Sequence, residues 1–152
     1  LFGSLVLPPA LTALGRRVRH HPALPDYDAF LRRLCDLAWD WGLAPLCQGR
    51  FNEAKTDTKW VEYAAAGIPA LVSRHPVYAA CSAGGAALEV ADDGWATALP
   101  AALQDPALRA GILEVARKRL VESHGLARMT QQIEAVLLAA GVPARLAAAL
   151  RS

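Results

Sequence analysis

Between Phe51 and Ser73 the chain reads FNEAKTDTKWVEYAAAGIPALVS, and this stretch gathers the side chains best suited to hold a phosphorylated ligand. Thr56 and Asp57 are residue types that open helices, Thr58–Ala66 is rich in helix formers, and Gly67 and Pro69 end the helix before the buried-strand run Ala70, Leu71, Val72. A helix that opens after a polar loop presents unpaired backbone N–H groups and the positive end of its dipole, which suits a phosphate or diphosphate. Lys55 and Lys59 bracket that opening. Glu62 lies about one turn beyond Thr58 on the same face, where a carboxylate can accept hydrogen bonds from a ribose attached to that phosphate. The candidate binding residues are therefore Lys55, Thr56, Thr58, Lys59 and Glu62. The plain alternative for the lysines and Glu62 is a solvated helix surface, and for Asp57 a simple helix cap.

The elements needed to position these groups are legible on both sides. Trp39–Leu46 is apolar on both sides of the alternation, as a buried parallel strand should be. The loop Cys47–Lys55 then leaves the carboxyl end of a strand and feeds a helix N-terminus, which is where open α/β sheets bind ligands. Upstream, Leu1–Gly3 reads as a strand end, Ala10–Leu14 as a short helix closed by Gly15, and Val18–His21 as a brief strand stopped by Pro22. Pro25 and Asp26 introduce a helix over Tyr27–Leu37, with Phe30, Leu31, Leu34 and Leu37 at helical spacing. Downstream, Ser73–Gly85 reads as a loop and Ala87–Val90 as a strand. Asp92 and Asp93 are candidate caps for a helix containing Trp95 and Leu99, which Pro100 should kink or divide. Asp105 and Pro106 start a helix to about Ser123, Gly125 stops it, and a last helix covers Leu126–Ala140. An Ala-rich tail, Ala144–Leu150, has little to hold it. Strand, helix, strand, helix, strand, strand and then helices is an α/β pattern, a Rossmann-like parallel sheet flanked by helices. The domain is expected over residues 1–143, with a tail over 144–152.

Composition narrows the classes. A chain of 152 residues, 54% hydrophobic, can bury a core, and its 32 alanines keep that fraction from meaning greasy surface. No apolar run approaches the roughly 20 residues a membrane span requires. Sixteen basic against fourteen acidic residues, a net charge of +2, is too small a balance to argue for nucleic acid. The densest basic patch, Arg16, Arg17, Arg19, His20 and His21, could meet phosphates or acidic lipid, though the solvated flank of a short strand accounts for it as well. Cys35, Cys47 and Cys81 are an odd number without C-x-x-C spacing, and His20, His21, His75 and His124 pair with no ligand at metal spacing. Neither a disulfide framework nor a metal site is expected, and a reducing cytosol fits. No G-x-G-x-x-G, no G-x-x-x-x-G-K-[ST] and no G-x-S-x-G occurs, which disfavours dinucleotide dehydrogenases, P-loop NTPases and serine hydrolases. Trp39, Trp41 and Trp60 read as core rather than as a sugar platform.

The segment AKTDTKWVEYAAAGIP, preceded by FN and by WDWGLAPL, resembles the donor-binding half of GT-B glycosyltransferases, most closely the bacterial family 4-like enzymes. The resemblance covers roughly Leu1–Leu138. It implies a nucleotide diphosphate sugar as donor substrate, no cofactor, and retaining transfer, of hexosyltransferase type, without metal. Glu62 would bind the ribose, and Thr58 and Lys59 the diphosphate. It also implies a second glutamate eight positions before Glu62, in contact with the donor sugar. That position is Ala54, and Glu53, one residue away, is the candidate catalytic carboxylate. The acceptor, a glycan or lipid-linked sugar of cell-surface synthesis, would bind a half not present here, in the cytoplasm or peripherally at the inner membrane face. By the same resemblance Leu1–Gly3 aligns with the second strand of the domain, so the first, central strand is expected to be missing from a truncated and catalytically silent piece. The other class that fits the residues is a non-catalytic Rossmann-like binding or interaction module, which Ala54 would favour.

Overall fold

A computed structural model describes Gly3 and residues 6–147. The chain divides into two compact units, Leu1–Ala38 and Trp39–Ser152. In the first, α1 spans Pro9–Thr12, a 3-10 turn covers Gly15–Arg17, and α2 spans Tyr27–Leu37. Asp26 caps α2 by accepting from the Ala29 N–H at 2.8 Å, and Ala38 closes it in the left-handed region at φ 45°. The strand expected over Val18–His21 does not form. Only His21 carries a bridge; the 3-10 turn ends at Arg17, and Val18 is extended but joins no ladder. The strand expected over Leu1–Gly3 lies, apart from Gly3, outside the described residues, as does the tail beyond Ala147.

The second unit is built on a three-stranded parallel sheet in the order β1-β2-β3, with β1 at Gly42–Ala44, β2 at Ala70–Ser73 and β3 at Leu88–Val90. Gly42 pairs with Ala70 and Ala44 with Val72, and on the other side Leu71 pairs with Leu88 and Ser73 with Val90. Between β1 and β2 lie α3 (Arg50–Glu53) and α4 (Thr58–Ala65), and between β2 and β3 lies α5 (Pro76–Ser82). After β3 come α6 (Trp95–Leu103), α7 (Pro106–His124), α8 (Leu126–Ala139) and α9 (Ala144–Ala147). This is the α/β, Rossmann-like arrangement expected, a parallel sheet flanked by helices.

All four residues of β2 are buried, so both faces of the middle strand are covered, as a parallel sheet requires. Leu71 joins Trp41, Val90, Ala102 and Ile112 in one core cluster, against which Leu88, Trp95, Leu99 and Leu108 pack, so α6 and α7 close that face. By strand alternation Ala70 and Val72 point to the opposite face. Trp60 of α4 is fully buried, and its indole N–H donates to the Ala86 carbonyl at 3.0 Å. Trp60 and Trp41 are thus core residues.

Three expectations are corrected. Only Gly42–Ala44 of the predicted strand Trp39–Leu46 is paired, since the ladder with β2 runs over three residues. Ser73–Gly85 is not a plain loop, because it contains α5 and a 3-10 turn at Ala83–Gly85. Asp92 and Asp93 do not cap α6, which starts from Gly94 and continues through Pro100. Pro100 is tolerated because it and Ala96, whose carbonyl loses its helical partner, are both exposed, so water can satisfy the oxygen. No helix among the described residues is long and apolar enough to cross a membrane.

Candidate functional site

Because the strands are parallel, the segments that follow Ala44, Ser73 and Val90 all leave one edge of the sheet, and α4, which returns from β1 toward β2, opens at that same edge. The strand ends are tied together there. The Leu46 N–H donates to Ser73 Oγ at 2.8 Å, and Gln48 Nε2 donates to the Arg74 carbonyl at 3.2 Å. Gly49, at φ 138°, turns the chain into α3, whose Asn52 side chain reaches back to the Cys47 carbonyl at 2.8 Å. Ala54, Lys55, Thr56 and Asp57 then lead into α4.

At the opening of α4 the N–H groups of Trp60 and Val61 bond back to the Asp57 carbonyl at 2.8 and 3.2 Å, so those of Thr58 and Lys59 precede any intrahelical acceptor. Thr56 and Thr58 join their hydroxyls at 2.6 Å. Lys55 holds its ammonium 5.1 Å from the centre of the Phe51 ring, and Lys59 reaches Glu62 at 3.1 Å. Lys55, Thr56, Thr58 and Lys59 are all exposed; the structure brings the two threonine hydroxyls together at the helix opening, while the two ammoniums rest on different partners, Phe51 and Glu62.

Glu62 is different: only 7% of it is exposed. A carboxylate is seldom so buried without a partner, and here Lys59, its own side chain 58% exposed, covers it from one turn earlier in the helix. The phenol of Tyr63 is pushed up to about 12, first by burial and then by the charge of Glu62, while its hydroxyl donates to the Leu43 carbonyl at 3.1 Å. Glu53 sits at the end of α3, exposed, and Ala54 beside it is exposed as well.

Asp57 occupies the cap position of α4, but its side chain does not cap. It lies 3.4 Å from Nε2 of His124, the last residue of α7, whose ring stands against Trp60 at a centroid distance of 5.8 Å. The Asp57 charge also extends to α5: burial and then Asp57 push the Cys81 thiol up to about 12, and the Tyr78 phenol is raised by burial, then by Cys81, and last by Asp57. No local residue pattern signals this clasp, because its partners are distant along the chain.

His75 lies in the stretch Ser73–Gly85 expected to be a loop. It caps α5 through its ring, the Val77 N–H donating to Nδ1 at 3.3 Å, and it is only 3% exposed. That bond places the ring proton on Nε2, which is buried without a hydrogen-bond partner. The His-Pro pair, a cap followed by proline at the first helical position, was the local signal for α5.

Comparison with known proteins gives one match. The model of a family described as glycosyl transferase-like matches residues 10–135, a span that takes in the sheet, the α4 opening and the first turns of α8. No curated protein and no solved structure matches the chain.

Proposed function

The chain belongs to the glycosyl transferase-like family, and from that premise we propose that it is the nucleotide-sugar-binding half of a GT-B glycosyltransferase of the bacterial, family 4-like kind. The observation that carries this reading is Glu62, a carboxylate kept 7% exposed one turn inside a helix that opens at the carboxyl edge of a parallel sheet. Burial of a charge is costly, and a ligand whose hydroxyls donate to it gives that cost a use. In the proposed complex the ribose donates to Glu62, displacing Lys59 toward the diphosphate. The amides of Thr58 and Lys59, the hydroxyls of Thr56 and Thr58, and Lys55 then surround the phosphates. These groups stabilise the charge on the departing nucleoside diphosphate as the sugar is transferred with retention, the work a metal does elsewhere. The donor is a nucleotide diphosphate sugar, with no separate cofactor. The acceptor is a cell-surface glycan or lipid-linked sugar, met in the cytoplasm or at the inner membrane face through the other half of the enzyme.

The test is calorimetry with uridine, guanosine and adenosine diphosphates. Glu62→Ala is expected to weaken binding of the preferred nucleotide by about 1–3 kcal/mol with little change in fold. Unchanged affinity would remove Glu62 from the site. Ala54 favours the second reading, a module that binds without transfer. Donor hydrolysis by the complete enzyme separates the two, and Glu53→Gln should abolish most turnover while leaving nucleotide affinity intact if Glu53 supplies the missing carboxylate.

A further inference from the structure

Phe51 stands out on the ligand-facing edge because 81% of it is exposed. A lone exposed phenylalanine is ordinary on a protein surface. This one is presented by a held turn. The Asn52 and Glu53 N–H groups both bond to the Gly49 carbonyl, at 2.9 and 3.1 Å, and the Lys55 N–H bonds to the Asn52 carbonyl at 3.1 Å. The Asn52 side chain adds its bond to Cys47. The backbone that carries the ring is therefore held while the ring itself adds nothing to the core, and a candidate phosphate ligand, the Lys55 ammonium, rests 5.1 Å from its centre.

We infer that Phe51 is the platform for the sugar ring of the donor and that Lys55 occupies this platform only until the diphosphate arrives. The inference rests on the donor-binding reading. In a nucleotide sugar the order is base, ribose, diphosphate, sugar. Along the chain the proposed ribose ligand is Glu62, the proposed phosphate ligands are Lys59, Thr58, Thr56 and Lys55, and Phe51 comes next. The moiety that follows the diphosphate is the sugar, whose C–H face is apolar and matches the flat, solvent-facing phenyl ring. A cation–π contact at an exposed site is weak, whereas an ammonium gains a charge-assisted hydrogen bond from a phosphate oxygen. The incoming diphosphate therefore draws Lys55 from the ring and bares the surface the sugar needs, so the two binding events support each other.

The test compares each nucleoside diphosphate with its sugar conjugate by calorimetry, using UDP with UDP-glucose and GDP with GDP-mannose. Phe51→Ala is expected to reduce affinity for the preferred nucleotide sugar about five- to tenfold while leaving that of the bare diphosphate within about twofold, and Phe51→Trp is expected to retain the wild-type difference. Equal loss for both ligands would overturn the assignment to the sugar, and no loss for either would overturn the platform altogether. If the wild-type chain binds none of these four ligands and neither ADP nor ADP-glucose, the donor reading itself fails and the inference falls with it. If it binds them and Glu62→Ala weakens binding while Phe51→Ala does not, only the platform is lost.

Discussion

Helices α4 and α8 belong to the same unit and answer to the same physics, yet the shorter is the more firmly placed. α4 has eight residues and buries Trp60, Glu62, Tyr63 and Ala64, whereas α8 has fourteen and buries none. The difference lies in what each helix is pressed against. Tyr63 of α4 lies flat on Gly42 of β1, and Trp60 bonds to Ala86 just before β3, so the helix is held at both of its turns. α8 leans on α7 and leaves Leu126, Met129, Ile133 and Val136 exposed. The donor site we propose needs the first kind of helix, since a ligand held between backbone amides and a carboxylate a turn apart tolerates little movement of either.

The hardest blow to that arrangement is a single methyl group. A Cβ at position 42 would stand 2.5 Å from Tyr63 Cδ2, and the ring cannot retreat without breaking its hydroxyl bond to Leu43. Gly42→Ala is expected to cost about 2–3 kcal/mol by overpacking, read as a lower midpoint in urea unfolding. Its effect should be relieved in a Tyr63→Leu background, where the two changes will not add. A Gly42→Ala chain as stable as wild type would mean that α4 is held elsewhere than on β1.

How much of this was legible in advance follows from the range of the interactions. α2 and α7 begin where Asp26 and Asp105 indicated, because an aspartate cap is a local event: Asp105 accepts from the Leu108 N–H at 2.8 Å, as Asp26 does from Ala29. The opening of α4 was equally local: the helix starts at Thr58, as its polar lead-in indicated. Asp57 has the same residue type as the other two caps and a different fate, set by His124 from the far end of α7. Spacing placed Glu62 one turn into α4 but could not show that it is buried or that Lys59 covers it. α5 is short and carries one local signal, the His75 cap followed by Pro76, which is weaker than an aspartate cap ahead of a long periodic helix.

A smaller effect should appear on the alkaline side, and it belongs to the buried region alone. Tyr63 and Cys81 are each pushed up to about 12 from ordinary values of 10.0 and 9.0, chiefly by burial. The folded chain therefore holds these protons more tightly than the unfolded chain does. The stability they contribute is whole below about pH 9 and is lost as pH rises toward about 12. Thermal melts between pH 8 and 11.5 should show the decline, and Cys81→Ala should flatten its lower half. A decline of the same size in that variant would place its origin outside the thiol. Thiol labelling gives the same contrast, with Cys35 and Cys47 modified in the folded chain and Cys81 only on unfolding, in keeping with their exposure.

The least effect is expected on α8, and it sharpens the comparison most. Ile133 and Val136 lie on the exposed stripe, so replacing either with Gln removes little buried area and puts a good helix former in place of a β-branched residue. Ile133→Gln and Val136→Gln should each change stability by no more than about 0.5 kcal/mol, the range of ordinary surface substitutions. Ile112→Ala in the core should cost about 2–5 kcal/mol in the same assay, since that side chain packs among Trp41, Leu71 and Val90. The two measurements set the buried face of α7 against the exposed face of α8, which rests on it. Should Ile133→Gln cost more than about 1.5 kcal/mol, the stripe is covered in solution. Sedimentation at several protein concentrations would then tell whether a second copy of the chain covers it, because a dimer that loses its apolar face dissociates as well as loses stability.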